Sequence, residues 1–512
     1  MIRTMALLAS ALLLGAAAPA PKPVAIPVTV AASVADHQSG RLIVFIERVK
    51  RGAKASNSID FNAFAPTGAT IAARDVTDLR PTEAATIDAE TDAFPAPLSK
   101  LAPGQYRIQA VLDRNRDYAY SGRGAGDLVS SVMTVTLPGP IPTLTLSSVI
   151  ASTDPAPRAD LTQYFSQVRP IDFQSSAMTA FRGTPTSLRG WVALPPNYDG
   201  KARFPTVYSD GGFGSTLGSA KRSAANMMKL MADGKAPPMI WVYLDHAVGT
   251  GTHEFADSAN NGPWGTALTS ELIPALEREY RMDARPAGRF LTGHSSGGWS
   301  TLWLQVCYPK VFGGSWPTSP DPSDFHDFTN IDLYAPNANF YADADGKPRP
   351  LIRDKGKVVA NMVDFARSEA VMGVYGGQIA SFEWVFSPRG LDGRPVPVFD
   401  RATGSIDATV AAYWRDNYDI ANIIRRNWPT LKPDLDGKIH LTVGTADTFY
   451  LDGPAHLLEA VMREIGAKTD FRYLPGKTHF DLYVRGDDKE ALIKDIAWEM
   501  YAVARPDAKR SR

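Results

Sequence analysis

The chain has 512 residues, of which 44% are hydrophobic and 21% charged, a composition typical of globular proteins rather than of disordered or membrane chains. Lysine plus arginine and aspartate plus glutamate number 54 each, so there is no overall positive field to attract nucleic acid, which we do not expect as a partner. The single cysteine, Cys307, excludes an intrachain disulfide and a cysteine-rich metal site.

The N-terminus contains the parts of a secretory signal peptide. Arg3 supplies a positive charge, residues 5–14 form an apolar run, and small residues follow at 15–18. The run is shorter than the roughly 20 apolar residues that cross a bilayer. We therefore predict that residues 1–20 are a signal peptide, that the protein is periplasmic or secreted, and that it has no membrane span. A buried N-terminal helix is the alternative.

Residues 28–150 are predicted to form a small β-sandwich domain. Segments rich in β-branched and apolar residues alternate with Gly and Pro turns, at 42–47, 106–112, 132–137 and 144–149. Short strands without long helical periodicity favour a sandwich.

Asp113, Asn115 and Asp117 recur at alternate positions within this region, as at the start of a calcium-binding loop. The glycine and the later glutamate of an EF-hand loop are missing. The pattern therefore favours an acidic turn at a strand end, and we expect neither a metal nor a cofactor.

From about residue 165 the pattern changes to strands that alternate with helices. Strands are predicted at 190–194, 204–209 and 239–244, and amphipathic helices at 220–233 and 266–280. This alternation predicts βαβ units in a mostly parallel sheet with helices on both faces. We assign residues 165–505 to this α/β domain.

A nucleophile motif follows a fourth predicted strand, at 289–292. Gly293, His294, Ser295, Ser296 and Gly297 read G-x-S-x-G, and an apolar helix comes next. Glycines on both sides of the serine permit a tight turn, with strand and helix close together and the hydroxyl raised above the sheet. The setting predicts an α/β-hydrolase fold with Ser295 as nucleophile.

A serine hydroxyl needs an imidazole to take its proton, and in this fold the order along the chain is serine, acid, histidine. His440 lies within a predicted strand and His456 at a predicted helix start. His479 lies in a loop after a strand, where the base belongs. We therefore predict His479 as the base.

The acid is expected just beyond the carboxyl end of the preceding strand. Asp447 lies three residues beyond Gly444, the end of that strand. Asp452 is the alternative, but its place near the next helix favours a capping role. We predict that Asp447 orients His479.

Two N–H groups must stabilise the oxyanion of the transition state. We predict that one belongs to Ser296, directly after the nucleophile. The second is expected from the glycine-rich loop 210–214, with Gly212 the first candidate and Phe213 the next. A simple glycine turn is the alternative for this loop.

These residues resemble the putative esterase family of α/β-hydrolases, which includes S-formylglutathione hydrolase, enterochelin esterase, feruloyl esterase modules and mycolyl transferases. The likeness runs over about 170–320 and 420–500, and its segments are the Trp-Val-Ala-Leu-Pro-Pro-Asn-Tyr run at 191–198, Phe-Pro at 204–205, Glu-Leu-Ile-Pro at 271–274, the motif at 293–298 and Tyr-Pro-Lys-Val-Phe-Gly at 308–313. The resemblance implies an esterase in which Ser295, Asp447 and His479 form the triad.

The chain departs from the family pattern in two places. Asp210 stands where many relatives have a histidine before the glycine loop, which affects the geometry of the oxyanion donors. Residues 320–425 look like an insertion, and they are rich in aromatic side chains. Such an insertion near the carboxyl edge of the sheet is interpreted as a lid over the site, or as a structural excursion packed on the core.

Taken together, the sequence predicts a secreted serine esterase that cleaves a small-molecule or glycan-linked ester through an acyl-enzyme. An acyltransferase with the same triad is one alternative. A non-catalytic protein that binds a glycan or peptide is another, and the retention of serine, acid and histidine in order argues against it.

Overall fold

The computed structural model describes residues 24–34, 37–50, 52, 56–151 and 157–508. The predicted signal peptide lies outside the described residues, and export stays a prediction. Within the described ranges, no helix combines the length and apolar character needed to cross a membrane.

The described residues of the N-terminal part form nine strands, one short α-helix and a 3-10 helix at Leu98–Lys100. They are β1 (Ala25–Val30), β2 (Gln38–Arg48), β3 (Thr70–Leu79), β4 (Ala85–Asp88), β5 (Ala93–Phe94), β6 (Gly104–Asp113), α1 (Tyr118–Ser121), β7 (Leu128–Ser130), β8 (Met133–Leu137) and β9 (Leu144–Val149). Their order in the sheet is β4-β1-β9-β7-β6-β2-β3-β5, with β8 also paired to β6.

All nine strands belong to one hydrogen-bonded sheet, where the sequence predicted a sandwich of two. The long strand β6 connects the halves, because its end at Val111 and Leu112 pairs with β7 while its start pairs with β8. Both faces of β2 are buried, which explains its nearly continuous apolar run. Leu42 packs inside the sheet's own core, whereas Phe45 on the opposite face packs near Val371 of the C-terminal part.

The described residues of the C-terminal part form fourteen strands and twelve α-helices. Short 3-10 helices lie at Ala159–Leu161, Pro286–Gly288 and Phe325–Asp327, and a π-helical stretch, Ala267–Leu272, joins α5 to α6. The strands are β10 (Arg169–Gln174), β11 (Ser187–Ala193), β12 (Thr206–Asp210), β13 (Ile240–Leu244), β14 (Ala247–Val248), β15 (Gly251–Thr252), β16 (Asp257–Ser258), β17 (Gly262–Pro263), β18 (Arg289–His294), β19 (Gly314–Thr318), β20 (Pro350–Asp354), β21 (Lys357–Asn361), β22 (His440–Gly444) and β23 (Asp470–Leu474). The helices are α2 (Thr162–Phe165), α3 (Ser176–Arg182), α4 (Leu217–Ala232), α5 (Trp264–Thr266), α6 (Ile273–Glu279), α7 (Ser296–Cys307), α8 (Met362–Met372), α9 (Gln378–Phe386), α10 (Ala408–Asn417), α11 (Ile420–Leu435), α12 (Asp452–Glu464) and α13 (Ala491–Ala504).

Eight of these strands form the central sheet, in the order β10-β11-β13-β12-β18-β19-β22-β23. The first two pairings are antiparallel, and those from β13 to β23 are parallel. Every residue of β13 is buried, as expected for a strand covered on both faces. The carboxyl ends of β12, β18, β22 and β23 therefore lie along one edge, and the loops there carry the predicted site residues.

The segment 320–425 packs on α7 through an aromatic core. Trp299 of α7 contacts Phe386 with ring centroids 4.8 Å apart, and Trp303 contacts Tyr418 at 5.5 Å. The same apolar cluster extends to Phe325 and Phe382. The segment is thus joined to the helix that follows the nucleophile by buried surface, and it is an integral part of the fold.

Candidate active site

Ser295 lies in the sharp turn between β18 and α7. Its backbone has φ 59° and ψ −124°, a region that side chains with a Cβ rarely adopt and that is found at functional sites. The strained turn is anchored, since the amide of Ser295 donates to the carbonyl of Thr318 on β19 and its carbonyl accepts from Trp299. The residue is 8% exposed. This conformation lifts the hydroxyl above the carboxyl edge of the sheet.

The glycines of the motif permit backbone contacts that no larger residue allows. A Cβ on Gly293 would lie 2.1 Å from the carbonyl oxygen of Gly297, and one on Gly297 would lie 2.3 Å from that of Gly211. Both obstacles are backbone atoms that side-chain rotation cannot relieve. The close approach of α7 to the loop after β12 therefore depends on these positions.

His479 and Asp447 form a buried pair. The Nδ1 of His479 lies 2.9 Å from Oδ2 of Asp447, and both side chains are almost fully excluded from solvent. Burial acts to raise the pKa of Asp447, but the hydrogen bond and charge of His479, with the amide of Phe449, outweigh it and hold the pKa below its ordinary value. The carboxylate is thus kept ionised, as a residue that orients an imidazolium must be.

The imidazole of His479 lies beside the nucleophile turn. Its ring centroid is 4.3 Å from that of His294, the residue directly before Ser295. Burial lowers the pKa of His294 to about 3, so this neighbour is neutral. The three residues predicted from the sequence are thus gathered at one edge of the sheet.

The alternative residues are engaged elsewhere. Asp452 forms an ion pair with Arg353 of β20 at 2.8 Å. The same arginine donates Nε to the carbonyl of Asp447, so β20 holds the loop of the acid in place. His440 pairs with Asp470 at 2.7 Å, and the ring of His456 is stacked on that of Tyr473.

The predicted oxyanion donors flank the nucleophile. Ser296 is the first residue of α7, where backbone N–H groups lack partners within the helix. Gly212 lies on the other side, and a Cβ on it would be 3.2 Å from the Cβ of Ser295 and 3.9 Å from its hydroxyl oxygen. Phe213, the next residue, packs against Tyr120 of α1 with ring centroids 4.9 Å apart.

Asp321 is a second carboxyl group at the nucleophile that sequence analysis missed. The hydroxyl of Ser295 donates to its Oδ1 at 3.4 Å, and that of Ser296 to its Oδ2 at 2.7 Å. Burial raises the pKa of Asp321. Its position just after β19 could have indicated this residue. The strand itself was not predicted, because it contains Gly314 and Pro317.

A buried histidine also holds the loop of Gly212. His246 lies about 3.0 Å from Asp210 through Nδ1 and 3.3 Å from the carbonyl oxygen of Gly212 through Nε2. Both partners are acceptors, so the ring satisfies both only when each nitrogen carries a proton. Burial acts to lower the pKa of His246, and the charge of Asp210 with its hydrogen bond outweighs burial and raises it. Asp210, which stands where many relatives have a histidine, is thus paired with a histidine that lies just beyond the end of β13.

Glu254 adds a further buried carboxyl group behind the nucleophile. Its side chain is fully buried, and neither of its oxygens has a hydrogen-bond partner among the described residues. Burial, together with the charges of Asp321 and Asp210, raises the pKa of Glu254 well above its ordinary value. These surroundings favour the protonated form of the Glu254 carboxyl group.

An apolar cavity of about 40 Å³ opens at Ser295. Most of its wall comes from the segment 320–425 and from the loop of the acid: Phe328, Leu351, Met362, Phe365, Ile379, Phe382, Phe449 and Leu451. Sites for drug-sized ligands have volumes of roughly 300–1,000 Å³. The cavity as it stands has room for only a few substrate atoms.

Among the residues that the structure describes, two groups of side chains are close enough to share a cation. Asp113, Asp117 and Asp127 form one, and Asp324, His326 and Asp419 the other, with ligand atoms within 4.8 Å in each. The carboxylate of Asp113 already accepts the amides of Asp117 and Tyr118. This is the acidic turn that the sequence predicted at the end of β6.

The sequence profile of the family described as "Putative esterase" matches residues 183–491, more than half of the chain. The chain belongs to this family. It is therefore an enzyme of the carboxylic ester hydrolase class, as the resemblance implied. No curated protein matches the chain.

Solved structures of esterases are similar over about two thirds of the chain. A ferulic acid esterase has 14% sequence identity and a TM-score of 0.40, covering 66% of this chain and 97% of its own. An S-formylglutathione hydrolase from Agrobacterium tumefaciens has 14% identity, a TM-score of 0.38 and coverages of 66% and 95%. A substrate-bound, fluorophosphonate-binding serine hydrolase from Staphylococcus aureus has 12% identity, a TM-score of 0.37 and coverages of 66% and 98%.

Proposed function

We propose that this enzyme is a serine esterase that hydrolyses a carboxylic ester with a short acyl group, through an acyl-enzyme on Ser295. The observation that carries the proposal is the buried pair of His479 and Asp447 beside the strained turn of Ser295. A histidine fixed in this way by a carboxylate is the arrangement that activates a serine hydroxyl. The small cavity at Ser295 favours a short acyl group.

In the proposed reaction, the hydroxyl of Ser295 leaves Asp321 and turns to Nε2 of His479, which takes its proton as Oγ attacks the ester carbonyl carbon. The oxyanion accepts hydrogen bonds from the backbone N–H of Ser296 and from that of Gly212 or Phe213. His479 then gives its proton to the leaving alcohol as the C–O bond breaks. Water, deprotonated by His479, attacks the acyl-enzyme, and the acid departs as Ser295 recovers its proton.

The test is replacement of the nucleophile. Ser295→Ala is expected to reduce turnover of p-nitrophenyl acetate by at least about a thousandfold, because residues of a triad act as a unit. A fluorophosphonate probe is expected to label the native enzyme and not the variant, and peptide mapping is expected to find the label on Ser295. Equal turnover by a folded Ser295→Ala variant would refute the proposal.

Acyl transfer to an alcohol is a second candidate, favoured by one observation. Ser295 is 8% exposed and faces an apolar cavity, and a site that restricts water favours other acceptors. Products formed with glycerol present distinguish the two, because a transferase accumulates the glyceryl ester and a hydrolase accumulates the free acid.

We also propose that the enzyme acts outside the cytoplasm after removal of residues 1–20. Mass spectrometry of the protein recovered from a bacterial host measures its N-terminus. A mature chain that begins near residue 21 in the periplasmic fraction is expected, and an intact Met1 would contradict export by cleavage.

A further inference from the structure

Three phenylalanines from two parts of the molecule meet beside His479. Phe449 and Phe480 lie with ring centroids 4.9 and 5.4 Å from the imidazole. Phe64, from the loop between β2 and β3, contacts both of them, at 6.4 and 5.7 Å. We call Phe64, Phe449 and Phe480 the aromatic rim.

The aromatic rim is open to solvent. Phe480 is 64% exposed and Phe64 is 42% exposed, whereas Phe449 is partly buried and also lines the cavity at Ser295. Adjacent exposed phenyl rings leave apolar surface in contact with water, which is unfavourable. Apolar patches of this kind on a folded protein mark sites of ligand contact.

The chemistry of the proposed reaction decides which part of the substrate reaches the rim. His479 must donate its proton to the oxygen of the leaving alcohol, so that oxygen lies within hydrogen-bond reach of the imidazole. The substituent on the oxygen then extends past His479. The imidazole is contacted by His294 of the nucleophile turn and by Phe449 and Phe480 of the rim, so the rim is the apolar surface beside the leaving group. The acyl group occupies the other side, in the cavity at Ser295.

The arrangement of the rings indicates the chemistry of that substituent. The planes of Phe64 and Phe449 meet at 60°, those of Phe64 and Phe480 at 60°, and those of Phe449 and Phe480 at 72°. Tilted rings form a cup that suits edge-to-face contact with another ring. No single flat face is presented, as stacking on a sugar ring would require.

We propose that the aromatic rim binds the alcohol part of the ester and selects an apolar, ring-containing alcohol. The inference rests on the proposed function, since it places the leaving group at His479. It also gives the N-terminal part a role in specificity, because Phe64 is the contribution of that part to the rim.

The test compares esters that share one acyl group. Benzyl acetate, methyl acetate and the 6-acetate of methyl glucoside differ only in the alcohol. Phe64→Ala and Phe480→Ala are expected to raise KM for benzyl acetate about five- to twentyfold, while kcat stays within twofold of the native value. KM for methyl acetate is expected to stay within twofold of the native value as well. Phe64→Tyr retains the ring and is expected to restore the native KM.

Phe181→Ala is the matched control. Phe181 is 39% exposed on α3 and contacts Arg389, away from the rim. Its replacement is expected to leave kcat and KM for all three esters unchanged. The control therefore separates loss of the rim from loss of any exposed ring.

The outcomes separate the two proposals. A native enzyme that is inactive on all three esters and leaves Ser295 unlabelled by fluorophosphonate contradicts the proposed function. An active enzyme whose Phe64→Ala variant treats benzyl and methyl acetate alike overturns the rim inference alone. A rise in KM confined to the sugar ester overturns it as well, in favour of a glycan-binding rim.

Discussion

At the scale of single residues, the site depends on how buried charges are paired. Asp447 is held ionised by His479, whereas Glu254 and Asp321 lie nearby with raised pKa values. A low-dielectric site tolerates one ionised carboxylate when a histidine and amides face it, and further carboxyl groups favour protonation. The surroundings of the nucleophile thus favour the ionised form of Asp447 and the protonated forms of Glu254 and Asp321.

His246 offers a prediction about pH. Because burial is outweighed by Asp210, the pKa of His246 in the folded protein lies above the ordinary value of 6.5. A group with a raised pKa contributes its stabilisation fully below pH 6.5 and loses it as the pH rises through the folded-state value. Loss of the proton removes one of the two hydrogen bonds of the ring, so we expect the loop of Gly212 to loosen and kcat to fall on the alkaline side.

His246→Phe tests this reasoning, because phenylalanine keeps the ring and removes both donors. We expect kcat to fall about tenfold near pH 6 with KM within threefold, since a displaced oxyanion donor costs transition-state binding. The alkaline fall in kcat is expected to be absent from the variant. His440→Phe, at a histidine that pairs with Asp470, is the control. If kcat of His246→Phe still fell on the alkaline side as it does in the native enzyme, the role of His246 would be contradicted.

At the scale of elements, the packing of α7 against the loop after β12 depends on glycine. Gly297→Ala would place a Cβ 2.3 Å from one backbone oxygen and 2.5 Å from another. We expect the free energy of unfolding to fall by about 1–3 kcal/mol and ester turnover to fall more than tenfold, because the helix must shift. Gly249→Ala, where nothing lies within 4 Å, is expected to change stability by less than about 0.5 kcal/mol in urea unfolding.

The elements that carry the triad followed from sequence because their signals are local. The turn of Ser295 needs glycines within three residues, and the loops of Asp447 and His479 follow the short strands β22 and β23. Strand β19 escaped pattern analysis, since Gly314 and Pro317 are untypical of a central strand. Asp321 was missed with it, because its role depends on where that strand ends.

The His246 pair with Asp210 depends on a non-local contact between the ends of β12 and β13. The only local signal was a polar pair, Asp245 and His246, directly after a buried strand. The single N-terminal sheet could not be predicted from the sequence either, because short strands with alternating patterns fit either one curled sheet or a sandwich. Pairing across 20 or more residues decides between the two, and no single sequence displays it.

At the scale of the whole molecule, the N-terminal part contacts the segment 320–425 through β2 and the oxyanion loop through α1. Arg41 of β2 donates to the carbonyl of Val371, 330 positions away in the chain. Tyr120 of α1 donates its hydroxyl to the carbonyl of Ser215 at 2.8 Å and packs its ring on Phe213. The N-terminal part therefore supports the loop that carries a predicted oxyanion donor.

Tyr120 provides the prediction that tests this support. We expect Tyr120→Ala to lower the free energy of unfolding by about 3 kcal/mol, because a buried aromatic ring is lost. We also expect kcat to fall about tenfold with KM within threefold, because Phe213 loses its contact and the loop beside Ser295 gains freedom. Tyr120→Phe keeps the ring and is expected to cost about 1 kcal/mol with kcat within threefold.

Tyr106 is the matched control. It lies on β6 of the same N-terminal part, is buried like Tyr120, and donates its hydroxyl to the carbonyl of Ala102, also within the N-terminal part. Tyr106→Ala is expected to lose as much stability as Tyr120→Ala, yet to keep native kcat at temperatures where both variants are folded. Urea unfolding and acetate ester kinetics measure the two quantities separately. Equal kcat in the two alanine variants would mean that the N-terminal part supports the fold without positioning the oxyanion loop.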